Sequence, residues 1–324
     1  MTAHYITGLD IGGTKIAATL AGRDGLLQRQ TQPTVLSGTE QALPQQCIAM
    51  IDAMCAAAGV PPAQVCAVGI GSTGPFVQRD GLLALASPNL CGRQSGASDL
   101  PNDWDAVPLQ QMLLSRFEQV VMCNDAVAAL NAERFFGAVQ TEDHCAYVTW
   151  STGIGFGLCV DGRILHGKHG NAGHAGHMLM TDASDARCGC GNRGDVESLV
   201  SGRNLARRHG RDTAALFAAA RARSPEEYAL VAEAARWLGR ALYNVTAMLD
   251  TRTFVIGGGI WQHHGDWLRP LLLQELAGRL PALTAEVRLI DAELGSLVGD
   301  IGALCQVMPT EWVTHWRATR PWES

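Results

Sequence analysis

The sequence predicts an α/β protein of two domains. Apolar, β-branched stretches alternate along the chain with long helical patterns, which is typical of sheets with helices packed against them. The chain has 324 residues, more than a single core usually holds. Two segments, "GLDIGGTKIAATLAGRDGLL" and "TWSTGIGFGLCVDGRIL", each indicate a strand, a turn of small residues, a second strand and an Asp-Gly hairpin turn. We therefore expect a duplicated fold with a cleft between its halves.

The individual elements follow from apolar spacing. Strands are predicted at "YITGLDIG", "KIAATLAG", "CAVGIGSTG", "QVVMCND", "CAYVTWSTGIGFGLCV", "TFVIGGG" and "VRLID", and helices over residues 40–58, 109–117, 125–136, 196–208 and 225–249. The last helix has the strongest start, because Ser224 can cap it, Pro225 suits its first position and Glu227 can close a capping box. Its apolar stripe is expected to be core, and consists of Leu230, Ala234, Trp237, Leu238, Ala241, Leu242 and Val245.

Composition argues against several classes of protein. The chain is 47% hydrophobic and 17% charged, with a formal net charge of −6. Since Lys and Arg form no cluster, no nucleic-acid partner is expected. Neither a secretory signal nor a bilayer-spanning apolar run is found, so we expect a cytoplasmic protein with no membrane partner. The cysteines are expected to be small buried hydrophobes, except for Cys188 and Cys190, whose spacing suits chemistry.

The turn of the first hairpin is a candidate phosphate site. In "GLDIGGTK", Gly12, Gly13 and Thr14 offer backbone N–H groups and a hydroxyl. Asp10 is placed to hold the shell of a Mg²⁺ ion. A P-loop is excluded, because Lys15 follows Thr14 and a strand comes next where a P-loop has a helix. The alternative is a tight turn that needs glycine for its backbone conformation alone.

The turn of the second hairpin repeats this arrangement with Thr152 and Gly153. Two such turns holding one polyphosphate are much less expected by chance than one. Further on, "TFVIGGGIW" runs from a buried strand into Gly257 and Gly258, whose bare backbone could admit a flat ring such as adenine. The alternative is an ordinary strand-to-helix turn.

Asn124 and Asp125 follow the strand "QVVMCND", and Asp125 opens a helix. An Asp at this position commonly serves as an N-cap. Alternatively, it is a general base at the carboxyl end of a strand, where open α/β sheets form their ligand crevices.

A candidate zinc site is formed by His177, Cys188, Cys190 and Asp195. The two cysteines and the upstream histidine are three ligands of suitable chemistry. A closed tetrahedral site needs a fourth ligand, and the carboxylate of Asp195 at the natural position can bind zinc. The alternative is a metal-free loop with two idle thiols.

These motifs occur together in one known family. The chain resembles the ROK (repressor, ORF, kinase) sugar kinases of the actin-like ATPase superfamily over essentially its whole length. The matching pieces stand in family order: "DIGGTK", "GIGSTGPFVQRDG", "ASPNL", "CNDAVAALNAE", "STGIGFG", "GNAGHAGH", "CGCGNRGDVESLVSG" and "VIGGG". Each piece is weak alone, and the combination is specific.

The resemblance implies an actin-like ATPase (ribonuclease H-like) fold with two domains around a central cleft. It implies phosphorylation of a sugar C6 hydroxyl by ATP with Mg²⁺, and Asp125 as the base that takes the hydroxyl proton. The sugar is expected to contact Asn89, Asn124, Asp125, His174, His177 and Glu197. The nucleotide is expected at Asp10, Gly12, Gly13, Thr14, Lys15, Thr152, Gly153, Gly257 and Gly258, and a structural zinc ion at His177, Cys188 and Cys190, with Asp195 in the fourth place.

Two positions depart from the family pattern. His174 stands where most members have a carboxylate, and Asp195 stands where they have a third cysteine. The first departure, with "STG" where glucokinases usually carry "PGP", is similar to bacterial N-acetylmannosamine kinases, so we expect N-acetyl-D-mannosamine as the sugar, in sialic acid degradation. N-acetylglucosamine kinase and glucokinase remain open. A sugar-sensing regulator without catalysis is a remote alternative. Regulators of the family carry a helix-turn-helix domain before the kinase-like fold, and here the first hairpin begins by residue 5.

The domain boundaries are expected as follows. A small α/β domain covers residues 1–120, with residues 308–324 packing back on it. A large domain covers residues 121–307 and carries the cysteine loop and a dimerisation surface, since members of the family often form homodimers.

Overall fold

The chain divides into two compact units. The structure, a computed structural model, describes residues 5–95 and 100–323. The first unit comprises the chain up to Gln140, His166–Ala172 and the residues from Ser296 on, and the second comprises Thr141–Leu165 and Gly173–Gly295. In the described part of the chain, no helix combines the length and apolarity that crossing a membrane requires.

The first unit is built on a five-stranded sheet. Its strands are β1 (Tyr5–Ile11), β2 (Lys15–Gly22), β3 (Gly25–Pro33), β4 (Val65–Ser72) and β7 (Gln119–Asn124), and a separate hairpin is formed by β5 (Phe76–Arg79) and β6 (Leu82–Leu85). The helices are α1 (Ala42–Ala58), α2 (Leu109–Leu114), α3 (Asp125–Phe136), α10 (Val298–Cys305) and α11 (Thr310–Thr319). The strand order is β3-β2-β1-β4-β7, with β1 antiparallel to β2 and parallel to β4.

The second unit contains another five-stranded sheet. Its strands are β8 (Cys145–Trp150), β9 (Ile154–Val160), β10 (Arg163–Ile164), β11 (Thr253–Gly257) and β12 (Arg288–Asp291). The helices are α4 (Val196–Val200), α5 (Gly202–His209), α6 (Thr213–Arg221), α7 (Pro225–Leu249), α8 (Gly259–Ala277) and α9 (Pro281–Thr284). The strand order is β10-β9-β8-β11-β12, with β8 antiparallel to β9 and parallel to β11.

The two sheets have the same topology. In each, a meander of three strands is extended by two parallel strands on the far side of its first strand. Each sheet begins with one of the two hairpins that the sequence singled out. The predicted duplication is therefore present in the fold.

Helix α7 covers the predicted residues and supplies the core of the second unit. Ala234, Leu238, Ala241, Leu242 and Val245 of its stripe are buried against the second sheet and its other helices, and Leu230 and Trp237 pack partly buried beside them. Side-chain burial of this kind contributes about 1.5–3 kcal/mol for each large apolar residue. The stripe is core, as predicted.

The capping box predicted for α7 is wrong. Ser224 is the N-cap, but its side chain bonds the carboxylate of Glu227 and makes no cap hydrogen bond to the backbone. Pro225 does occupy the first helical turn.

Another predicted helix, over residues 196–208, is interrupted at Ser201. The extended backbone of this residue (φ −68°, ψ 146°) ends α4 and starts α5.

The cysteines outside the loop pack as predicted with one exception. Those at positions 47, 55, 91, 123, 145, 159 and 305 are buried. Cys66, near the start of β4, is only partly buried.

Helix α10 packs closely on the first sheet and on α3. A Cβ at Gly69 of β4 would lie 1.9 Å from the carbonyl oxygen of Ala303, and a Cβ at Gly302 would lie 2.6 Å from the backbone of Ala128. Strand β7 pairs with β4 in the same sheet. These contacts place residues 121–140 and 296–307 in the first unit, so its boundary lies beyond the predicted residue 120.

The C-terminal tail belongs to the first unit. Trp316 of α11 donates its indole N–H to the carbonyl of Arg23 at 2.8 Å. The ring of Phe136 lies 6.0 Å from that of Trp316 and 5.0 Å from that of Trp322. The tail therefore buries its tryptophans against α3 and the β2–β3 turn.

Candidate active site

The turn between β1 and β2, residues 12–14, is fixed by neighbouring backbone groups. The N–H of Gly12 donates to the carbonyl of Lys15 at 3.0 Å and closes the hairpin. Thr34 donates its N–H to the carbonyl of Thr14 at 3.1 Å and its hydroxyl to the carbonyl of Gly12 at 2.8 Å. The turn is thus held in one conformation by the sheet itself, as a preorganised phosphate site requires.

Gly13 of this turn lies against Asn89. A Cβ at Gly13 would be 3.0 Å from the Cβ of Asn89 and 3.1 Å from its carbonyl oxygen. Any larger residue would displace the segment that carries Asn89. The structure therefore brings together a residue predicted to bind nucleotide and one predicted to bind sugar.

Asp10 lies on β1, just before the same turn. In the described part of the chain, no hydrogen bond or ion pair reaches its carboxylate. Burial raises its pKa from 3.8 to about 7, and the charges of Asp125 and Asp300 act in the same direction. Lys15 and Arg29 act weakly in the opposite direction. A strand end thus carries a carboxyl that is poorly stabilised as an anion and suited to binding a cation.

At the carboxyl end of β7, the N-cap of α3 and the candidate general base are two different residues. Asn124 is the N-cap of α3, and its side-chain oxygen accepts the N–H of Ala126 at 2.9 Å. Asp125 is the first helical residue, and its Oδ1 also accepts that N–H, at 2.8 Å. Its charge reaches Asp10, as the pKa of Asp10 shows. Asp125 is therefore not the N-cap.

The turn between β8 and β9 is held by the start of α5. The N–H groups of Gly202 and Arg203 donate to the carbonyls of Ser151 and Thr152 at 2.9 and 3.1 Å. The N–H of Ser151 donates to the carbonyl of Gly153 at 3.0 Å. As in the first hairpin, backbone hydrogen bonds fix the turn.

Gly257, which ends β11, and Gly258, which follows it, are required by packing. A Cβ at Gly257 would lie 2.4 Å from the hydroxyl of Tyr147, and one at Gly258, whose φ is 88°, would lie 2.6 Å from the carbonyl oxygen of Trp150. Only the Cβ position of Gly259 is open. The close approach of β8 explains Gly257 and Gly258, and their contact with a nucleotide stays a prediction.

The donor atoms of the cysteine loop are spaced like the corners of a tetrahedron. Nδ1 of His177 lies 3.2 Å from Oδ2 of Asp195, 3.6 Å from Sγ of Cys190 and 3.8 Å from Sγ of Cys188. Sγ of Cys190 lies 3.6 Å from Oδ2 of Asp195. Zinc bonds of about 2.0 Å to N and O and about 2.3 Å to S give tetrahedral edges of about 3.3–3.8 Å. The four residues fit a zinc ion, and Asp195 completes the set.

Electrostatics of the loop favour a cation among these donors. Hydrogen bonds with Asp195 and then Cys190 raise the pKa of His177 to about 10. The hydrogen bond with Cys188, aided by His177, lowers the pKa of Cys190 to about 5. Anionic ligands thus surround Nδ1 of His177, and a metal bound there would replace a proton.

Glu197 connects this loop to the second hairpin. One carboxylate oxygen accepts the thiol of Cys188 at 3.4 Å, and the other accepts the N–H of Ile154 at 3.3 Å. His174 lies outside the four donors, with its ring centroid 6.0 Å from that of His177. The predicted sugar-contacting residues of the second unit therefore adjoin the loop.

Comparison with known proteins identifies the family. The ROK family model matches residues 6–308. The chain belongs to the ROK family. It is 34% identical over 287 residues to the N-acetylmannosamine kinase of Citrobacter koseri, which covers 86% of this chain and 91% of that protein.

Solved ROK structures share the fold. The ROK hexokinase from Thermus thermophilus is 32% identical, with a TM-score of 0.72 over 93% of this chain and 97% of its own. The ROK glucokinase from Streptomyces griseus, solved with glucose and AMPPNP, is 28% identical, with a TM-score of 0.70 over 92% and 97%. The ROK resemblance and the α/β, actin-like ATPase fold predicted from the sequence are confirmed.

Sequence reasoning missed Asp300. This residue of α10 is buried and ion-paired with Arg29, and its charge acts on Asp10. An Asp inside the otherwise apolar helix sequence "VGDIGALC" was the signal that could have found it. Unlike the predicted site residues of the ROK motifs, it lies in none of the segments that match the family pattern.

Proposed function

We propose that this ROK protein transfers the γ-phosphoryl group of ATP to the C6 hydroxyl of N-acetyl-D-mannosamine. The arrangement at the end of β7 carries the proposal, because Asn124 caps α3 while the carboxylate of Asp125 stands within electrostatic reach of Asp10. The relative from Citrobacter koseri is named for this sugar, and the Streptomyces griseus kinase was solved with a sugar and an ATP analogue.

The chemistry assigns separate roles to the two carboxylates of the first unit. The C6 oxygen attacks the γ-phosphorus, the bond from that phosphorus to the β-bridging oxygen breaks, and ADP leaves. Asp125 accepts the hydroxyl proton as the new bond forms. Asp10 would hold Mg²⁺, which neutralises phosphate charge when bound. The N–H groups of Gly12 and Ser151 close the two turns, so the backbone N–H groups of residues 13–14 and 152–153 would be the ones to orient the phosphates.

The second unit is proposed to recognise the sugar through the histidines and Glu197. With Nδ1 of His177 bound to zinc, the other ring nitrogen would carry its proton and donate to a sugar hydroxyl. His174 would present an imidazole where a carboxylate is usual in the family, which changes the donor and acceptor pattern offered to the sugar. The zinc ion would be structural, holding His177 in place.

The test of the function is a comparison of Asp125→Asn with Asp182→Asn, which removes an exposed carboxylate. Asp125→Asn is expected to lower turnover by about 10²–10⁴-fold while the sugar still binds in calorimetry, because only proton transfer is lost. Asp182→Asn should behave as wild type. ADP release is measured with N-acetylmannosamine, N-acetylglucosamine, glucose and mannose. A preference for glucose would overturn the substrate, and no turnover with any of the four would overturn the function.

Zinc is tested by elemental analysis of wild type, Asp195→Ala and Asp212→Ala. Both positions cap helices, since Asp195 accepts the N–H of Ser198 at 2.8 Å and Asp212 that of Ala215 at 3.1 Å. Only Asp195→Ala should also lose zinc, and wild type should hold about one ion per chain. Less than about a tenth of an equivalent in wild type would remove zinc from the proposal.

The wider setting is part of the same proposal. We expect a cytoplasmic homodimer that acts in sialic acid degradation. Light scattering on the purified protein measures the mass in solution against 34.5 kDa for one chain. A monomeric mass at working concentration would contradict the dimer alone.

A further inference from the structure

Asp300, in the first turn of α10, is a buried anion with three donors. Its side chain is 2% exposed. Thr19 donates its hydroxyl at 2.5 Å, and Arg29 donates from Nε at 3.0 Å and from Nη2 at 3.1 Å. The two nitrogens reach both carboxylate oxygens, so the pair is bidentate and fixed in orientation.

The donors of Asp300 lie on one rung of the first sheet. Gly8 of β1 pairs with Thr19 of β2, and Thr19 pairs with Arg29 of β3. Gly8 leaves room for the helix, since a Cβ there would lie 3.0 Å from the carbonyl oxygen of Asp300. These three paired residues therefore form a seat, that is, a contact surface on the sheet that fixes the position of the first turn of α10.

The residue before Asp300 touches Asp10. A Cβ at Gly299 would lie 2.3 Å from Oδ2 of Asp10, so the two are in direct van der Waals contact. Asp10 is two residues after Gly8 on β1 and therefore points to the same face of the sheet. A shift of Asp300 on its seat would move Gly299 by a similar distance, and the space available to the Asp10 carboxylate would change with it.

We propose that the Arg29–Asp300 pair is a positioning device that holds the Asp10 carboxylate in the orientation needed to bind the metal–nucleotide complex. Arg29 and Asp300 are positioning residues, because they act through Gly299. The inference rests on the proposed function, in which Asp10 holds Mg²⁺.

A contribution to stability is a weak explanation for a buried ion pair such as this one. A buried ion pair is often replaceable by apolar residues of similar volume without loss of stability, because desolvation offsets its attraction. The molecule offers a comparison in Glu275 of α8, which is 14% exposed and bound by Arg240 and Arg279. That cluster lies in the second unit, so it serves as a matched control.

The test measures the affinity for AMPPNP by calorimetry with Mg²⁺ and with EDTA. Mg²⁺ strengthens AMPPNP binding by some factor in the wild type, and that factor should be about tenfold smaller in Arg29→Gln and in Asp300→Asn. The affinity measured in EDTA should stay within about twofold of wild type. Arg29→Lys, which keeps one charged donor, should recover part of the loss. Glu275→Gln should keep the full effect of Mg²⁺. If Asp300→Asn does not fold, Thr19→Val removes one donor with little change in volume and is held to the same expectation.

The outcomes separate this inference from the proposed function. Variants that lower only the unfolding temperature and keep the effect of Mg²⁺ would overturn the inference, even if the wild type phosphorylates a sugar. A wild type that phosphorylates no sugar, but whose Mg²⁺-dependent nucleotide affinity falls in Arg29→Gln and not in Glu275→Gln, would overturn the function and support the positioning role.

Discussion

Replacing Asp10 by Asn is expected to stabilise the protein while impairing metal–nucleotide binding. The folded chain holds this carboxyl where burial, followed by the charges of Asp125 and Asp300, raises its pKa from 3.8 to about 7. Asn has the same shape and does not ionise. The unfavourable ionisation in the folded state therefore disappears with the substitution, and so does the negative charge that we propose holds Mg²⁺.

The magnitude follows from linkage between ionisation and folding. Because the folded pKa is the higher one, the stability contributed by the neutral carboxyl is fully present below about 3.8 and is lost as pH rises through about 7. A difference of roughly three units at ~1.4 kcal/mol each amounts to about 4 kcal/mol above that range. Asp10→Asn should thus raise the free energy of unfolding by about 2 kcal/mol at about pH 5.5 and about 4 kcal/mol at about pH 8.

Urea unfolding of wild type and Asp10→Asn at both pH values measures this gain. Asp182→Asn, at an exposed carboxyl, should show no gain at either pH. Calorimetry should show that Asp10→Asn binds AMPPNP equally with Mg²⁺ and with EDTA. A stability gain that does not grow between the two pH values, or a loss of stability at the higher one, would refute the reasoning.

Two further predictions concern packing and specificity. Gly302→Ala should lower the free energy of unfolding in urea by about 1–3 kcal/mol, because its Cβ would lie 2.6 Å from the backbone of Ala128. Gly278→Ala, whose Cβ would have nothing nearer than 3.8 Å, should leave that free energy unchanged. Equal effects of the two substitutions would contradict this account of α10. His174→Glu, which restores the usual carboxylate of the family, should raise the ratio of kcat/KM for glucose to that for N-acetylmannosamine by about tenfold or more in the ADP-release assay, and an unchanged ratio would remove His174 from sugar selection.

The features that sequence predicted best are local or repeated ones. Helix α7 carries a long apolar stripe of one period, so its bounds were predicted correctly. The two hairpins each contain a strand, a glycine turn and a strand within about twenty residues, and their similarity predicted the duplicated sheets. The place of Asp125 between a strand and a helix was predicted for a related reason, since the two elements adjoin in the sequence.

The features that sequence could not predict depend on distant segments. Asp300 and Arg29 are 271 positions apart, and nothing in either segment indicates its partner. The boundary of the first unit was misplaced for the same reason, because α10 returns to a sheet formed much earlier in the chain. At Ser224, the sequence pattern could not show that the hydroxyl bonds the side chain of Glu227 and makes no hydrogen bond to the backbone N–H groups of the helix.

Both of the duplicated sheets carry a carboxylate at a strand end, on strands that are not equivalent, and the two carboxylates differ in their partners. In the second sheet, Asp291 ends β12 and is bound by Arg269 at 2.7 Å and by the indole N–H of Trp261 at 2.7 Å. In the first sheet, burial raises the pKa of Asp10, the charges of Asp125 and Asp300 act in the same direction, and the guanidinium of Arg29 is bound to Asp300. A neutralised carboxylate gains little from binding a metal cation, whereas an uncompensated one gains much. We therefore expect the proposed Mg²⁺ ion at Asp10 and not at Asp291, whose carboxylate is already bound by Arg269 and Trp261.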